Sequence, residues 1–188
     1  MPISRRAKQS DRARPIADGD ETIAPSTTER ESPDACYQAA LRLLGYRARA
    51  EAEMRQRLGR KGFSGSEIEQ AVARLKASGL IDDAAFAKAW SESRAAGKPR
   101  SAYVVKRELR TKGIDAETAE QATTELDDAG AAYRAALPRL NWQKSLPREE
   151  ARRKLSDFLR RRGFGWAVIE RTLSRLREEG LSSEFDTT

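Results

Sequence analysis

The sequence predicts an all-α protein made of three tandem three-helix repeats, joined into an elongated, curved array. Apolar residues recur at helical spacing over most of the chain, and no segment alternates with period two as a strand would. A turn signature recurs about every 50 residues, at Lys61-Gly62-Phe63, Lys112-Gly113-Ile114 and Arg162-Gly163-Phe164. Because units of this size bury little core alone, we expect neighbouring units to dock on one another.

Composition and turn positions divide the chain into five segments. Residues 1–33 have almost no large apolar side chains, which predicts a disordered N-terminal extension. The three predicted repeats cover 34–80, 81–128 and 129–181. A flexible tail, 182–188, is expected after them.

The first repeat carries clear signals for helix starts and stops. Ser64 and Glu67 have the spacing of a capping box, which predicts the start of the third helix. Gly79 ends that helix, because glycine adopts a positive φ without a Cβ clash. The apolar faces of the three helices are formed by Leu41, Leu43 and Leu44, then Met54 and Leu58, then Ile68, Val72 and Leu75.

The stretch after Gly79 joins the first repeat to the second. Asp82 or Asp83 is expected to cap the next helix, whose apolar stripe of Phe86 and Trp90 is expected to enter the core. Asp127-Asp128 predicts a similar joint to the third repeat, in which Pro138 and Pro147 are expected to bracket a longer break. The motif residues with mainly structural roles are Gly79, Leu80, Ile81, Asp82, Asp83, Phe86, Trp90 and Gly113.

Charge points to an anionic partner. The chain has 36 Lys and Arg against 29 Asp and Glu, for a formal net charge of +7. This excess favours nucleic acid or an acidic protein surface. No apolar run is long enough to span a membrane, and the single cysteine, Cys36, fits a reducing compartment. We therefore expect a cytoplasmic protein that does not contact membranes.

Catalytic signatures are missing from the sequence. The chain has no histidine, no paired cysteines and no glycine-rich phosphate loop. Its carboxylate pairs lie at predicted helix ends or on polar faces, where capping and solvation explain them. A metal-dependent nuclease built from carboxylates alone is the remaining enzymatic alternative. We predict no enzyme, no metal site and no cofactor.

Basic residues concentrate on the second helix of each repeat and on the turn that ends it. One interpretation is an ordinary solvated face that keeps a helical protein soluble. The alternative is a row of cations that bind phosphates or carboxylates. The candidate binding residues are Arg57, Arg60, Lys61, Lys106, Arg107, Arg110, Lys112, Arg152, Arg153, Arg160, Arg161 and Arg162.

Several motifs together resemble the RecX family of bacterial regulatory proteins. They are Leu41-Arg42-Leu43-Leu44, Arg47-Ala48-Arg49, Glu53-Met54 with Leu58, Lys61-Gly62-Phe63, the stretch from Gly79 to Asp83 followed by Phe86-Ala87, Trp90 and Arg94, and Arg107-Glu108-Leu109 with Lys112-Gly113-Ile114. The resemblance covers about Ala35 to Leu181. It implies three three-helix repeats and a protein that binds the RecA filament on single-stranded DNA. By that resemblance, RecA's ATP hydrolysis, strand exchange and stimulation of LexA cleavage would be inhibited.

The chain departs from the family pattern at two places. Ala50 stands where the family usually has Ser or Thr, so a weaker start of the second helix is expected; Ser101 keeps that cap in the second repeat. The N-terminal extension lies outside the family core.

Two other functions remain open at this stage. A stand-alone helical DNA-binding protein, acting on duplex DNA as a repressor or architectural factor, would use the same cations. A helical adaptor for another acidic protein is the third interpretation. A monomer is the simplest expectation for an open array.

Overall fold

The computed structural model describes residues 34–143 and 146–179 of the chain. Within these ranges there are nine α-helices and no strand, which confirms the all-α prediction. The predicted extension 1–33 and tail 182–188 lie outside the described residues, and the elongated, curved shape stays a prediction. The helices are α1 (Ala35–Tyr46), α2 (Glu51–Arg60), α3 (Gly65–Ala77), α4 (Asp83–Ala96), α5 (Ala102–Thr111), α6 (Ala116–Thr124), α7 (Asp128–Gln143), α8 (Arg148–Arg161) and α9 (Trp166–Glu178).

The helices pack in three groups of three, α1–α3, α4–α6 and α7–α9. Each group has a cluster of buried apolar side chains, and the predicted helix faces supply part of each cluster. Met54 and Leu58 of α2, Leu109 of α5 and Leu159 of α8 are fully buried. We call α2, α5 and α8 the second helices, because each is the second of its repeat.

Local signals set the ends of these helices. The predicted capping box is present at the start of α3, where the Ser64 amide donates to Glu67 Oε2 at 2.7 Å and the Glu67 amide donates to Ser64 Oγ at 3.4 Å. Gly79 has a φ of 68°, in the left-handed region that ends a helix without a Cβ clash.

The end of one second helix lies against the start of the preceding one. A Cβ added to Gly113, after α5, would clash with the Cβ of Ala52 in the first turn of α2. A Cβ added to Gly163, after α8, would clash with Val104 in α5. The Ser101 amide also donates to the Arg162 carbonyl at 3.2 Å. Consecutive repeats are therefore joined through their second helices.

The structure corrects three expectations. Helix α7 continues through Pro138 to Gln143, so no break begins at Pro138; Pro138 and Arg134 are both exposed, which lets water replace the missing amide donor. Helix α7 begins at Asp128, so the boundary predicted after Asp128 falls inside its first turn. Phe86 and Trp90 pack on the second core but are only partly buried.

Candidate partner-binding surface

The predicted binding cations all lie on the second helices or on the turns that end them. Because each second helix buries its apolar face in its own repeat, the basic residues occupy the remaining face. Their side chains divide into two groups according to whether a carboxylate partner lies within ion-pair distance. Lys61 is the C-cap of α2.

One group forms salt bridges inside its own repeat. In every repeat a cation of the second helix pairs with a glutamate of the third helix, and the three glutamates are equivalent in the repeat register. The Arg152–Glu170 pair, for example, joins Nη2 to Oε2 at 2.9 Å. Such pairs hold the second helix against the third and leave less positive charge for a partner. These pairs are Arg55–Glu69, Lys106–Glu120 and Arg152–Glu170.

Two further predicted cations have carboxylate partners within their own helix. Arg57 Nε lies 2.9 Å from Glu53 Oε1, and Arg160 Nη2 lies 3.0 Å from Asp157 Oδ1. Arg160 remains largely exposed, so its pair is weakened by solvent.

The second group forms no ion pair with a carboxylate of residues 34–143 or 146–179. Its exposed members have no carboxylate within ion-pair distance in these ranges, which suits them to an anionic partner. They occur in all three repeats. The group consists of Arg60, Arg107, Arg110, Lys112, Arg153, Arg161 and Arg162.

A polar groove crosses the joint between the first two repeats. It has a volume of about 540 Å³ and is open to solvent between α2 and the end of α5. We call it the joint groove. Five cations and one carboxylate line it, so its net charge is strongly positive. Its lining residues are Arg47, Ala52, Glu53, Gln56, Arg57, Arg60, Arg110, Thr111, Lys112 and Gly113.

Glu53 is the one carboxylate in the lining of the groove, and three arginines hold it. Arg47 Nη2 donates to Oε1 at 2.7 Å, Arg49 Nη1 donates at 2.5 Å and Arg57 Nε donates at 2.9 Å. Burial opposes ionisation of Glu53, but hydrogen bonds from Arg47, Arg57 and Arg49 outweigh it and lower the pKa to about 2. Glu53 thus neutralises part of the charge of Arg47, Arg49 and Arg57. Arg60, Arg110 and Lys112 remain without a carboxylate partner in the described ranges and can bind an external anion.

Lys112 enters the groove from the second repeat. Burial lowers its pKa, and the nearby charges of Arg47 and Arg94 act in the same direction against the attraction of Glu53. Its Nζ lies 4.1 Å from the centre of the Trp90 ring. Trp90 also holds Arg94, whose Cζ lies 4.3 Å from the ring centre. A bound anion would relieve the repulsion among these cations.

Glu108 fixes the position of this aromatic platform. Its Oε2 accepts from Trp90 Nε1 at 3.0 Å and from Arg94 Nε at 2.7 Å. Arg100 Nη1 donates to the other oxygen at 2.8 Å. Trp90, which we expected in the core, is therefore a partly buried support for two cations.

Arg162 occupies the equivalent place at the second joint. Its Nη1 donates to the Pro99 carbonyl of the second repeat at 2.9 Å, and its Cζ lies 4.8 Å from the centre of the Phe158 ring. Burial lowers its pKa, with Arg100 and Arg139 adding repulsion. The C-cap cation of a second helix therefore lies at the joint with the preceding repeat in both cases.

The predicted site residues leave out five residues that line the joint groove: Arg47, Ala52, Glu53, Gln56 and Thr111. The first four lie in the first repeat, and only docking of the second repeat places them beside Arg110 and Lys112. The Arg47-Ala48-Arg49 motif contained a usable signal, because it places two arginines a few residues before Glu53. Lys106 and Arg152 face the third helices instead.

The carboxylate pairs have capping or ion-pairing partners. Asp82 and Asp127 accept from first-turn amides, and Glu150 pairs with Lys154 at 2.9 Å. Across the described residues no three side chains of the metal-ligating types come together as a metal site. Nor is any helix there both long and apolar enough to cross a membrane.

Two family models match the chain. One, described as RecX, first three-helix domain, matches residues 36–75, and the other, RecX, second three-helix domain, matches residues 82–122. These matches fall on the first and second groups of three helices.

Curated relatives extend the likeness over most of the chain. The protein from Prosthecochloris aestuarii named regulatory protein RecX is 38% identical over 137 residues, covering 73% of this chain and 90% of its own. The protein of the same name from Chlorobium limicola is 35% identical over 147 residues, covering 78% of this chain and 92% of its own. The crystal structure of RecX from Lactobacillus salivarius matches with a TM-score of 0.69 at 23% identity, covering 78% of this chain and 97% of that one.

Proposed function

The chain belongs to the RecX family of regulatory proteins, and we propose that it binds the RecA filament on single-stranded DNA and inhibits it. The inhibited activities are ATP hydrolysis, strand exchange and stimulation of LexA cleavage, as the resemblance implies. The observation that carries the proposal is the joint groove, where Arg60, Arg110 and Lys112 have no carboxylate partner among the described residues. A nucleoprotein filament offers the phosphates and acidic side chains that such cations bind.

Repetition along the chain supports the same function. Cations without a carboxylate partner in the described ranges recur on α5 and α8 as Arg107, Arg153 and Arg161. Several modest contacts on one chain reach high affinity when their spacing matches the partner. A filament with regularly spaced protomers is a partner of that kind.

The rate of RecA ATP hydrolysis on single-stranded DNA, measured while the protein is titrated in, tests the proposal. We expect the rate to fall at protein concentrations well below that of RecA. An unchanged rate at equimolar folded protein would contradict it. Tight binding to naked duplex DNA with a steep salt dependence and no effect on RecA would then favour the stand-alone DNA-binding function.

Charge reversal tests which cations contact the filament. Arg60→Glu combined with Arg110→Glu should weaken inhibition about tenfold or more, because repulsion replaces attraction in the joint groove. Arg153→Glu with Arg161→Glu should act in the same direction at the third repeat. The matched control is Arg171→Glu with Arg177→Glu, which changes net charge equally at exposed positions of α9. Equal loss in the control and the groove variant would refute the assignment.

A further inference from the structure

The start of α2 receives its cap from the next repeat. Ala50, its N-cap residue, has no side-chain acceptor, yet the Glu51 amide donates to Asp83 Oδ1 at 2.8 Å. Asp83 lies in the first turn of α4 and is partly buried. A carboxylate at a helix N-terminus stabilises both the free amide and the positive end of the helix dipole. The expected weak start of α2 is thus compensated from outside the first repeat.

The second joint has the same arrangement. The Ala102 amide at the start of α5 donates to Asp128 Oδ1 at 2.7 Å, and Asp128 lies in the first turn of α7. The first aspartate of each pair caps its own helix instead. Asp82 Oδ1 accepts from the Ala85 amide at 2.9 Å, and Asp127 Oδ1 accepts from the Gly130 amide at 3.0 Å.

A second contact holds the same turn of α2. Gly113 packs directly on Ala52, the residue after Glu51, and a Cβ on residue 113 would clash with the Ala52 side chain. The first turn of α2 is therefore held by α4 through Asp83 and by the end of α5 through Gly113. Two contacts from two helices of one repeat restrict rotation more than either would alone.

We propose that Asp83 and Asp128 are positioning residues that fix the orientation of each repeat relative to the preceding one. Asp83 thereby assembles the joint groove, whose walls come from α2 on one side and the end of α5 on the other. Asp82 and Asp127 act only within their own helices. The effect of Asp83 on binding rests on the proposed function, whereas its effect on repeat orientation does not.

The two joints differ in how much they depend on the aspartate. At the second joint Ser101 also caps α5, since its Oγ accepts from the Val104 amide at 3.3 Å, and Arg162 adds its bond to Pro99. At the first joint Ala50 provides no such cap. Loss of Asp83 should therefore change repeat orientation more than loss of Asp128.

Distances between spin labels measure the orientation directly in the full chain. Gln70 on α3 and Gln121 on α6 are exposed and occupy equivalent places in the first two repeats. Both would be replaced by Cys and labelled in a Cys36→Ala background. We expect one narrow distance distribution in this parent, and a broad or shifted one after Asp83→Ala. Labels at positions 121 and 171 report on Asp128→Ala in the same way.

Three further variants separate positioning from helix capping. Asp83→Asn keeps an oxygen acceptor, so the distance distribution should stay narrow, as in the parent. Asp82→Ala, one residue away on the same helix, should leave it narrow. Ala50→Ser added to Asp83→Ala restores a local cap to α2, as Ser101 does for α5, but should leave the distribution broad. Circular dichroism checks that each variant keeps its helices, and the recapped variant serves if Asp83→Ala alone does not fold.

Two results would overturn the proposal. One is a label-distance distribution in Asp83→Ala that equals that of the parent. The other is a narrow distance distribution in the recapped variant, Ala50→Ser with Asp83→Ala, which would show that Asp83 acts only as a helix cap. If RecA inhibition is observed, the recapped variant should inhibit about tenfold less than the parent because the groove is misassembled. If no variant affects RecA, the label distances still decide the positioning role, so failure of the proposed function is recognised separately.

Discussion

Glu53 shows how a single residue can hold several cations in place. Its carboxylate accepts from Arg47, Arg49 and Arg57, and Arg49 is itself buried. Arg49 also donates through Nε to the Leu43 carbonyl at 3.0 Å, which connects the end of α1 to α2. A buried guanidinium without a carboxylate would be costly, so Glu53 contributes to stability as well as to the charge of the groove.

Replacing Glu53 by Gln should therefore destabilise the fold by about 2 kcal/mol, because charge-assisted hydrogen bonds become weaker and Arg49 loses its counter-charge. Urea unfolding at neutral pH measures the change. The matched control is Glu69→Gln, which removes the same charge from an exposed pair with Arg55 and should cost less than about 1 kcal/mol. Equal losses would show that Glu53 has no special role.

The pH dependence of the same pair of variants has a definite sign. The pKa of Glu53 is about 2 in the folded chain against an ordinary value of 4.5. A depressed pKa contributes stability that is present above pH 4.5 and is lost as the pH falls towards 2. The part of the acid destabilisation that comes from Glu53 should be missing in Glu53→Gln and retained in Glu69→Gln.

At the scale of the elements, the three second helices begin differently although they end alike. Helix α5 has Ser101 as its N-cap, α2 has Ala50 and α8 has Pro147, and only Ser101 provides a side-chain cap. Each ends with a C-cap cation and a glycine of positive φ. The second helices therefore differ at their N-termini, where an aspartate of the next repeat accepts from the first backbone amide of α2 and of α5.

Exchanging the N-caps of α2 and α5 tests this difference. Ala50→Ser should stabilise the protein by about 0.5–1 kcal/mol, because the Glu53 amide gains an acceptor as the Val104 amide has at Ser101. Ser101→Ala should destabilise by about 1 kcal/mol. Thermal unfolding of the two single variants and the double variant gives both values. A destabilising Ala50→Ser would mean that the buried site around Ala50 cannot accept the hydroxyl.

Signals that act within one helix or turn could be predicted from the sequence. The capping box of Ser64 and Glu67 and the positive φ of Gly79 depend on neighbours a few residues away, and both are as predicted. The break expected at Pro138 is wrong, because the effect of a proline on a helix depends on whether its side of the helix faces water, as it does in α7. Local chemistry sets a preference, and the surroundings of the helix decide whether it prevails.

At the scale of the whole molecule, the contacts between repeats join residues far apart in the chain. The Glu51–Asp83 bond and the Gly113–Ala52 contact could not be read from one sequence, because helical periodicity fixes a face but not the partner docked on it. The lining of the joint groove likewise depends on which helices dock on one another. Basic character predicts Arg60, Arg110 and Lys112 as binding residues, but it equally predicts Lys106 and Arg152, which pair with third helices.

Adding one methyl group at the joint tests the contact between repeats. Gly113→Ala should destabilise by more than about 2 kcal/mol, since it combines a positive φ with a clash against Ala52. Gly79→Ala is the matched control, because its φ is also positive but no atom lies within 4 Å of the added Cβ. Its expected cost is about 1–2 kcal/mol. Denaturant unfolding compares them, and a Gly113→Ala no worse than the control would contradict close docking.

The aspartate bridge also has a consequence for the order in which the chain is made. Synthesis proceeds from the N-terminus, so all residues of the first repeat are joined before Asp83, which accepts the Glu51 amide, is added to the chain. The second repeat likewise waits for Asp128. Each of these two repeats is therefore completed only after translation has entered the next one, and a chain truncated at a repeat boundary would leave its last second helix without this acceptor.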